Sequence, residues 1–121
     1  MNAGRDPQPD CLFCRIVRRE VPSRIVADDE LVLAFHDIAP RSPTHILVIP
    51  KVHIASAADL GDGDGPLLGR LFGTMGRLAR EAGIADDGYR IVSNVGRWGG
   101  QTVDHLHLHL MGGRAFEWPP G

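Results

Sequence analysis

The chain lacks any apolar run near the ~20 residues that a membrane-spanning helix needs. Its opening, MNAGRDPQPD, holds neither a basic cluster nor an apolar stretch. Neither a membrane span nor a secretory leader is therefore expected, and the cytoplasm is the expected compartment. Cysteine is almost absent: Cys11 and Cys14 are the only two. Thiols so close together staple nothing across a fold, which excludes the disulfide scaffold of a small secreted domain. Net charge is small as well, −2 with a pI near 6.3. That balance argues against gripping long nucleic acid through its phosphates, and leaves a small nucleotide open as a ligand. No internal repeat or linker divides the 121 residues, a length that suits one core.

Histidine is what the chain has. The stretch VDHLHLHLMGG, residues 103–113, carries three of the six histidines, His105, His107 and His109, with a leucine between each pair. On a strand, successive side chains alternate faces, so the imidazoles share one face at ~7 Å steps and Leu106, Leu108 and Leu110 line the other. The leucines face inward. Imidazoles displace the Val or Thr that would pack better on a pleated surface, so chemistry explains the row better than a chance His-rich strand does.

The remaining pattern predicts an α+β fold with two helices and about five strands. Residues 1–10 read as a loose leader, and Asp10 as the N-cap of a helix over residues 11–20 that stops where Val21 precedes Pro22. Strands follow over 24–29, 31–37 and 44–50, the last closed by Pro50, and form an antiparallel meander. In the third of these, His45, Leu47 and Ile49 share one face and Ile46 and Val48 the other. A second helix runs from Pro66 to Ala82, with an apolar face from Leu67 to Ala82 inside an arc of about 140°. Gly69, Gly73 and Gly76 sit beside that face and cost ~1 kcal/mol each relative to alanine. Either another backbone approaches them or the helix tolerates the loss. Gly83 ends this helix, and strands over 89–94 and 104–111 flank a glycine-rich loop.

These residues carry a resemblance. His105-Leu-His107-Leu-His109-Leu-Met, preceded by Gly99-Gly100-Gln101-Thr102, fits the histidine-triad pattern of His, apolar, His, apolar, His, apolar, apolar. FHDIAP (35–40), PTHILVIPK (43–51), RIVSN (90–94) and GGRAFEWPPG (112–121) extend the match over nearly everything after residue 10. The chain resembles the Hint branch of the histidine triad (HIT) family, so residues 11–121 are expected to be a single HIT domain. The resemblance implies purine-nucleoside phosphoramidase and nucleotidyl-hydrolase activity, and a homodimer whose two sheets join into one. It makes His107 the nucleophile toward the α-phosphorus of a nucleoside phosphoramidate, forming a nucleotidyl-histidine that water cleaves. A neutral imidazole is a competent nucleophile near pH 7, and a covalent intermediate divides one hard step into two.

His109 is the expected helper, with Gln101 and Thr102 donating hydrogen bonds where charge develops and Asn94 on the adjacent strand. The other nitrogen of His107 needs an orienting partner, a backbone carbonyl or a carboxylate. Phe35 and Asp37 share a strand face, joining an apolar wall to a carboxylate. The resemblance assigns Asp37 to ribose, and Phe35, Ile38, Leu47, Leu12, Phe13 and Ile16 to the purine. It sends Trp118 towards the partner's active site. It also implies a structural zinc on Cys11, Cys14, His45 and His105, against the alternative of two reduced, packed thiols. His36 is expected to be structural, and His53 is left without a role.

Thr102 stands where Hint proteins often carry serine, and Arg97-Trp98 adds bulk and charge to the loop that faces the leaving group. Competing functions are a dinucleoside polyphosphate hydrolase sharing the triad, a nucleotide-sensing module without catalysis, and a zinc hydrolase. The last is disfavoured because the outer triad histidines lie ~13 Å apart on a strand and cannot share one ion.

Overall fold

The computed structural model describes residues 3–121, so Met1 and Asn2 of the expected leader lie outside the described residues. In chain order the elements are α1 (Leu12–Val17), β1 (Ile25–Asp28), β2 (Val32–His36), β3 (Thr44–Pro50), α2 (Gly65–Glu81), β4 (Tyr89–Val92) and β5 (Leu108–Gly112). Single 3-10 turns occur at Ala3–Arg5, Ala57–Asp59 and Asp62–Asp64. The strands form one antiparallel sheet in the order β1-β2-β3-β5-β4. The expected meander therefore holds for β1 to β3. The chain then crosses through α2 to the far edge, and β5 returns to pair between β3 and β4.

Each face of the sheet packs against a helix. Ile46, Val48, Leu108 and Leu110 point at α2 and meet Leu71, Met75, Leu78 and Ala79 in a wholly apolar cluster. The opposite parity sends Leu33, Phe35, Leu47 and Ile49 towards α1, where Phe13 and Ile16 close a second cluster. Among the described residues, no backbone from outside the helix approaches the α2 glycines: a Cβ at Gly69 or Gly73 would meet nothing within 4 Å, and one at Gly76 only an Arg80 guanidinium nitrogen. Among the described residues, no helix is long and apolar enough to cross a membrane.

Both helices end in the same hydrogen-bond arrangement. At α2, Gly83 N–H donates to Arg80 O and Ile84 N–H to Ala79 O, with Gly83 at φ 74°. At α1, Arg19 N–H donates to Ile16 O and Glu20 N–H to Arg15 O, with Arg19 at φ 64°. These are paired C-terminal caps of the Schellman type. The expected helix over residues 11–20 is thus three residues too long, because a left-handed arginine, not the downstream Pro22, ends it. Its N-cap is Cys11 instead of Asp10: the Cys11 sulfur accepts the Cys14 N–H.

In the segment expected to be a loose leader, residues 1–10, Arg5 and Gln8 make contacts with the rest of the chain. Arg5 pairs with Asp64 at 2.6 Å, His53 N–H donates to Arg5 O at 2.8 Å, and Cys11 N–H donates to Gln8 O at 3.1 Å.

Candidate active site

The triad lies where β5 begins. His105 and His107 precede the strand proper, in irregular backbone, and only His109 belongs to the ladder, opposite Leu47 of β3 and Val92 of β4. Alternation still sends Leu106, Leu108 and Leu110 into the α2 cluster and leaves the imidazoles on the α1 side.

Buried imidazoles need partners, and those partners determine which nitrogen carries the proton. His107 Nδ1 lies 2.7 Å from the His105 carbonyl. A carbonyl only accepts, so Nδ1 holds the proton and Nε2 keeps its lone pair. This carbonyl is the orienting partner the sequence left unnamed. His105 repeats the logic with its other nitrogen: Nε2 donates to Pro50 O at 2.9 Å, which frees Nδ1. At His45 the backbone is the donor, since Arg41 N–H lies 3.0 Å from Nδ1. His45 Nε2 therefore carries the proton and donates to His109 Nδ1, 2.8 Å away, with Asp37 Oδ2 at 3.4 Å. His109 must then hold its proton on Nε2. Burial is the main cause that lowers the His109 pKa to about 4, with His107 and His45 adding to it, and burial lowers that of His45 too, so both rings are neutral near pH 7.

A cavity of about 250 Å³ opens on this face. Its lining joins a polar set, His107, His109, Thr102 and Asp37, to an apolar one, Leu12, Phe13, Ile16, Phe35, Ile38 and Leu47. Phe13 braces the chemistry from below, its ring edge-to-face with His107 at 5.1 Å and with Phe35 at 5.5 Å. Val21, Pro22, Ser23, His36 and Val103 line it too and were not anticipated. Their signal is weak because all but His36 come from loops.

The structure does not bring every expected residue to the cavity. Gln101 spends its carboxamide on the loop, donating to Ala55 O at 2.7 Å and Val103 O at 3.0 Å and accepting Gly96 N–H at 2.9 Å. Asn94 likewise donates to Gly99 O at 2.7 Å. Gly99 is required there, since a Cβ would collide with the Val95 backbone. Trp118 is 84% exposed and does not line the cavity of its own chain. Trp98 is 95% exposed.

His45 requires a correction. Cys11, Cys14, His53 and His105 are the four residues that converge, with ligand atoms all within 4.8 Å of one another, and His45 groups instead with Asp37 and His109. The cause is register. Antiparallel pairing sets His45 opposite Met111, at the end of β5 remote from His105, whereas the chain beyond β3 folds back to carry His53 to the cysteines. His105 Nδ1 lies 3.3 Å from Cys11 Sγ and 3.6 Å from Cys14 Sγ, and His53 Nδ1 lies 3.4 Å from Cys14 Sγ. Zinc bonds of roughly 2.3 Å to sulfur and 2.0–2.1 Å to nitrogen, at tetrahedral angles, imply sulfur–nitrogen separations near ~3.6 Å. The donor set fits. The 2.8 Å between His45 and His109 is a hydrogen-bond spacing, shorter than two nitrogens on one tetrahedral ion allow.

Comparison with known proteins agrees with this geometry. The HIT domain family model matches residues 18–116. An uncharacterised HIT-like protein of Synechococcus elongatus is 51% identical over 112 residues, 93% of this chain and 97% of that protein. The purine nucleoside phosphoramidase of Escherichia coli K12 is 48% identical over 105 residues, 87% of this chain and 88% of that enzyme. The crystal structure of a HIT family hydrolase from Legionella pneumophila superposes with a TM-score of 0.91 at 49% identity, covering 93% of this chain and all of that one. The fold, the row of imidazoles with assigned tautomers, and these matches lead to one statement: the chain belongs to the HIT domain family.

Proposed function

We propose that the protein is a hydrolase of purine nucleoside 5′-phosphoramidates that cleaves the P–N bond through a nucleotidyl-His107 intermediate. The observation that carries the reading is the His107 tautomer: Nδ1–H is committed to the His105 carbonyl, so Nε2 is the nucleophilic atom, in a ring that lines the cavity. The purine would lie among Phe13, Phe35 and Leu47, with Asp37 on the ribose. His107 Nε2 attacks phosphorus, and the nitrogen departs with the bonding pair and a proton from solvent. His109 Nε2–H, its tautomer fixed by His45, donates to a phosphoryl oxygen or the bridging atom, and Thr102 lines the same cavity. Water then attacks phosphorus, releasing the nucleoside monophosphate and restoring His107. Gln101 and Asn94 act by holding the loop. The relative named purine nucleoside phosphoramidase supports the substrate class.

Cys11, Cys14, His53 and His105 would hold a structural zinc, which when bound braces the turn before the triad. Residues 11–121 act as one domain, and two copies pair so that Trp118 reaches the partner's cavity. The open α2 glycines and the exposed Trp118 support that pairing. Mass spectrometry of AMP-lysine turnover tests the chemistry. An adenylated His107 peptide is expected, and turnover of diadenosine polyphosphates in preference to phosphoramidates would overturn the substrate class. Light scattering tests pairing: a mass near 13.2 kDa at micromolar concentration would overturn it.

A further inference from the structure

The segment ahead of α1 touches the cysteine–histidine centre at more points than a leader needs. Gln8 N–H donates to Cys14 Sγ at 3.4 Å and Gln8 O accepts Cys11 N–H at 3.1 Å. Arg5 O accepts His53 N–H at 2.8 Å. Three of the four converging residues are therefore hydrogen-bonded to the backbone of residues 5–8, Cys14 as acceptor and Cys11 and His53 as donors, and the fourth, His105, donates to Pro50 O. The segment is anchored away from the centre. The Arg5 guanidinium forks onto Asp64 at 2.6 and 3.0 Å and reaches Asp59 O at 3.3 Å, and Asp64 also accepts Gly61 N–H at the start of α2. A recess of about 480 Å³, lined by Arg5, Gln8, His53 and Asp59 among others, gives on to His53, so this segment forms one wall of an approach to the centre.

We propose that residues 4–10 are a clasp over the metal centre and that the Arg5–Asp64 pair is its catch, which makes Arg5 a positioning residue for metal retention. The proposal rests on the zinc reading above. A single exposed ion pair contributes little, but a two-pronged arginine–carboxylate contact is the strong form, and these side chains are only 24% and 12% exposed. Releasing it lets the segment lift as a local opening, since none of its side chains belongs to either apolar cluster. His53 and both cysteines then lose their backbone partners together. An ion that leaves only through the opened form departs in proportion to how often that form occurs.

The test uses zinc-loaded full-length protein mixed with excess chromogenic chelator. Arg5→Ala and Asp64→Asn are each expected to release zinc about fivefold faster, and Arg5→Lys to fall between them and wild type. The Arg5→Ala/Asp64→Asn double variant should release no faster than either single one, because the two substitutions remove the same contact. A second readout needs no metal: Cys14 in the zinc-free variants should react faster with a thiol reagent. Wild-type protein that takes up no zinc would overturn the zinc reading, and the thiol readout would then decide the clasp alone. Wild-type thiol reactivity in both single variants, or zinc release that is unchanged or multiplies in the double variant, would overturn the clasp.

Discussion

The two faces of the sheet are made by the same strands, and they solve opposite problems. On the α2 side, β3 and β5 present Ile46, Val48, Leu108 and Leu110, which need only shape and volume to fit against Leu71, Met75 and Leu78. On the α1 side the strands and the turn before β5 present His45, His107 and His109 beside Leu47, and each ring carries polar nitrogens into a place where water is scarce. An unpartnered polar group there costs roughly 1–3 kcal/mol, so each ring has found a backbone or side-chain partner. Backbone groups have fixed direction and a fixed role as donor or acceptor. The bonds that make burial of the imidazoles tolerable therefore also assign their protons. One face is specified by packing, the other by hydrogen-bond polarity.

Substitution of one residue on each face should separate the two logics, and the largest effect is expected at His107. His107→Ala removes the nucleophile while Phe13, Phe35, Asp37 and Leu47 remain. Turnover should fall by about 10⁴-fold or more, with nucleoside monophosphate still bound by the folded protein. Residual activity within tenfold of wild type would move the nucleophile elsewhere. Next in size is Leu110→Ala on the α2 face, where the side chain is fully buried. About 3 kcal/mol of stability should be lost, read from urea unfolding, with kcat per folded molecule preserved. A proportionate loss of kcat would show that the faces are not separable.

The contrast also explains what was legible. Period-two alternation identified β3 completely and sorted the triad from its leucines, because parity depends on neighbours in the chain. His53 was illegible. It sits in irregular chain after β3, placed by a hydrogen bond from its own N–H to Arg5 O, far away in sequence. His45 offered parity instead, and parity correctly set it on the Leu47 face. Taken one step further, to an antiparallel register with β5, the same reasoning would have carried it beside His109 and away from His105. The contacts of residues 1–10 were hidden for a related reason: charge and proline content describe Arg5 and Gln8 without showing what they touch.

A smaller effect is expected where one imidazole acts through another. His45→Ala frees His109 to adopt either tautomer, so kcat should fall roughly 10- to 100-fold with KM little changed, and His45→Gln, which retains an N–H donor, should recover part of it. Acid gives a second reading. His109 binds its proton with a pKa of about 4 when folded, against 6.5 for an unperturbed histidine. The unfolded chain therefore takes up a proton that the native state refuses, and stability falls as pH drops from 6.5 towards 4, with no contribution above that window. Urea midpoints across that range should decline less steeply in His109→Gln than in wild type. Parallel slopes would show that burial of this ring does not set the dependence.

The smallest expected effects lie at the helix that covers each face. Arg19 and Gly83 occupy the same left-handed position after α1 and α2, at φ 64° and 74°. A side chain in that region costs roughly 1–2 kcal/mol relative to glycine, partly offset because glycine loses more freedom on folding, by about 0.5–1 kcal/mol. Gly83→Ala should therefore destabilise by about 1 kcal/mol through α2 and leave the cavity untouched. Arg19→Gly relieves the corresponding strain but gives up the ion pair with Asp28, so its net effect should stay within about 0.5 kcal/mol. Thermal unfolding of the two variants beside wild type measures the pair. Equal and opposite shifts would mean that the Asp28 contact contributes nothing, whereas a clear loss of stability in Arg19→Gly would mean that this contact, rather than backbone preference, ends α1 and holds it over the cavity.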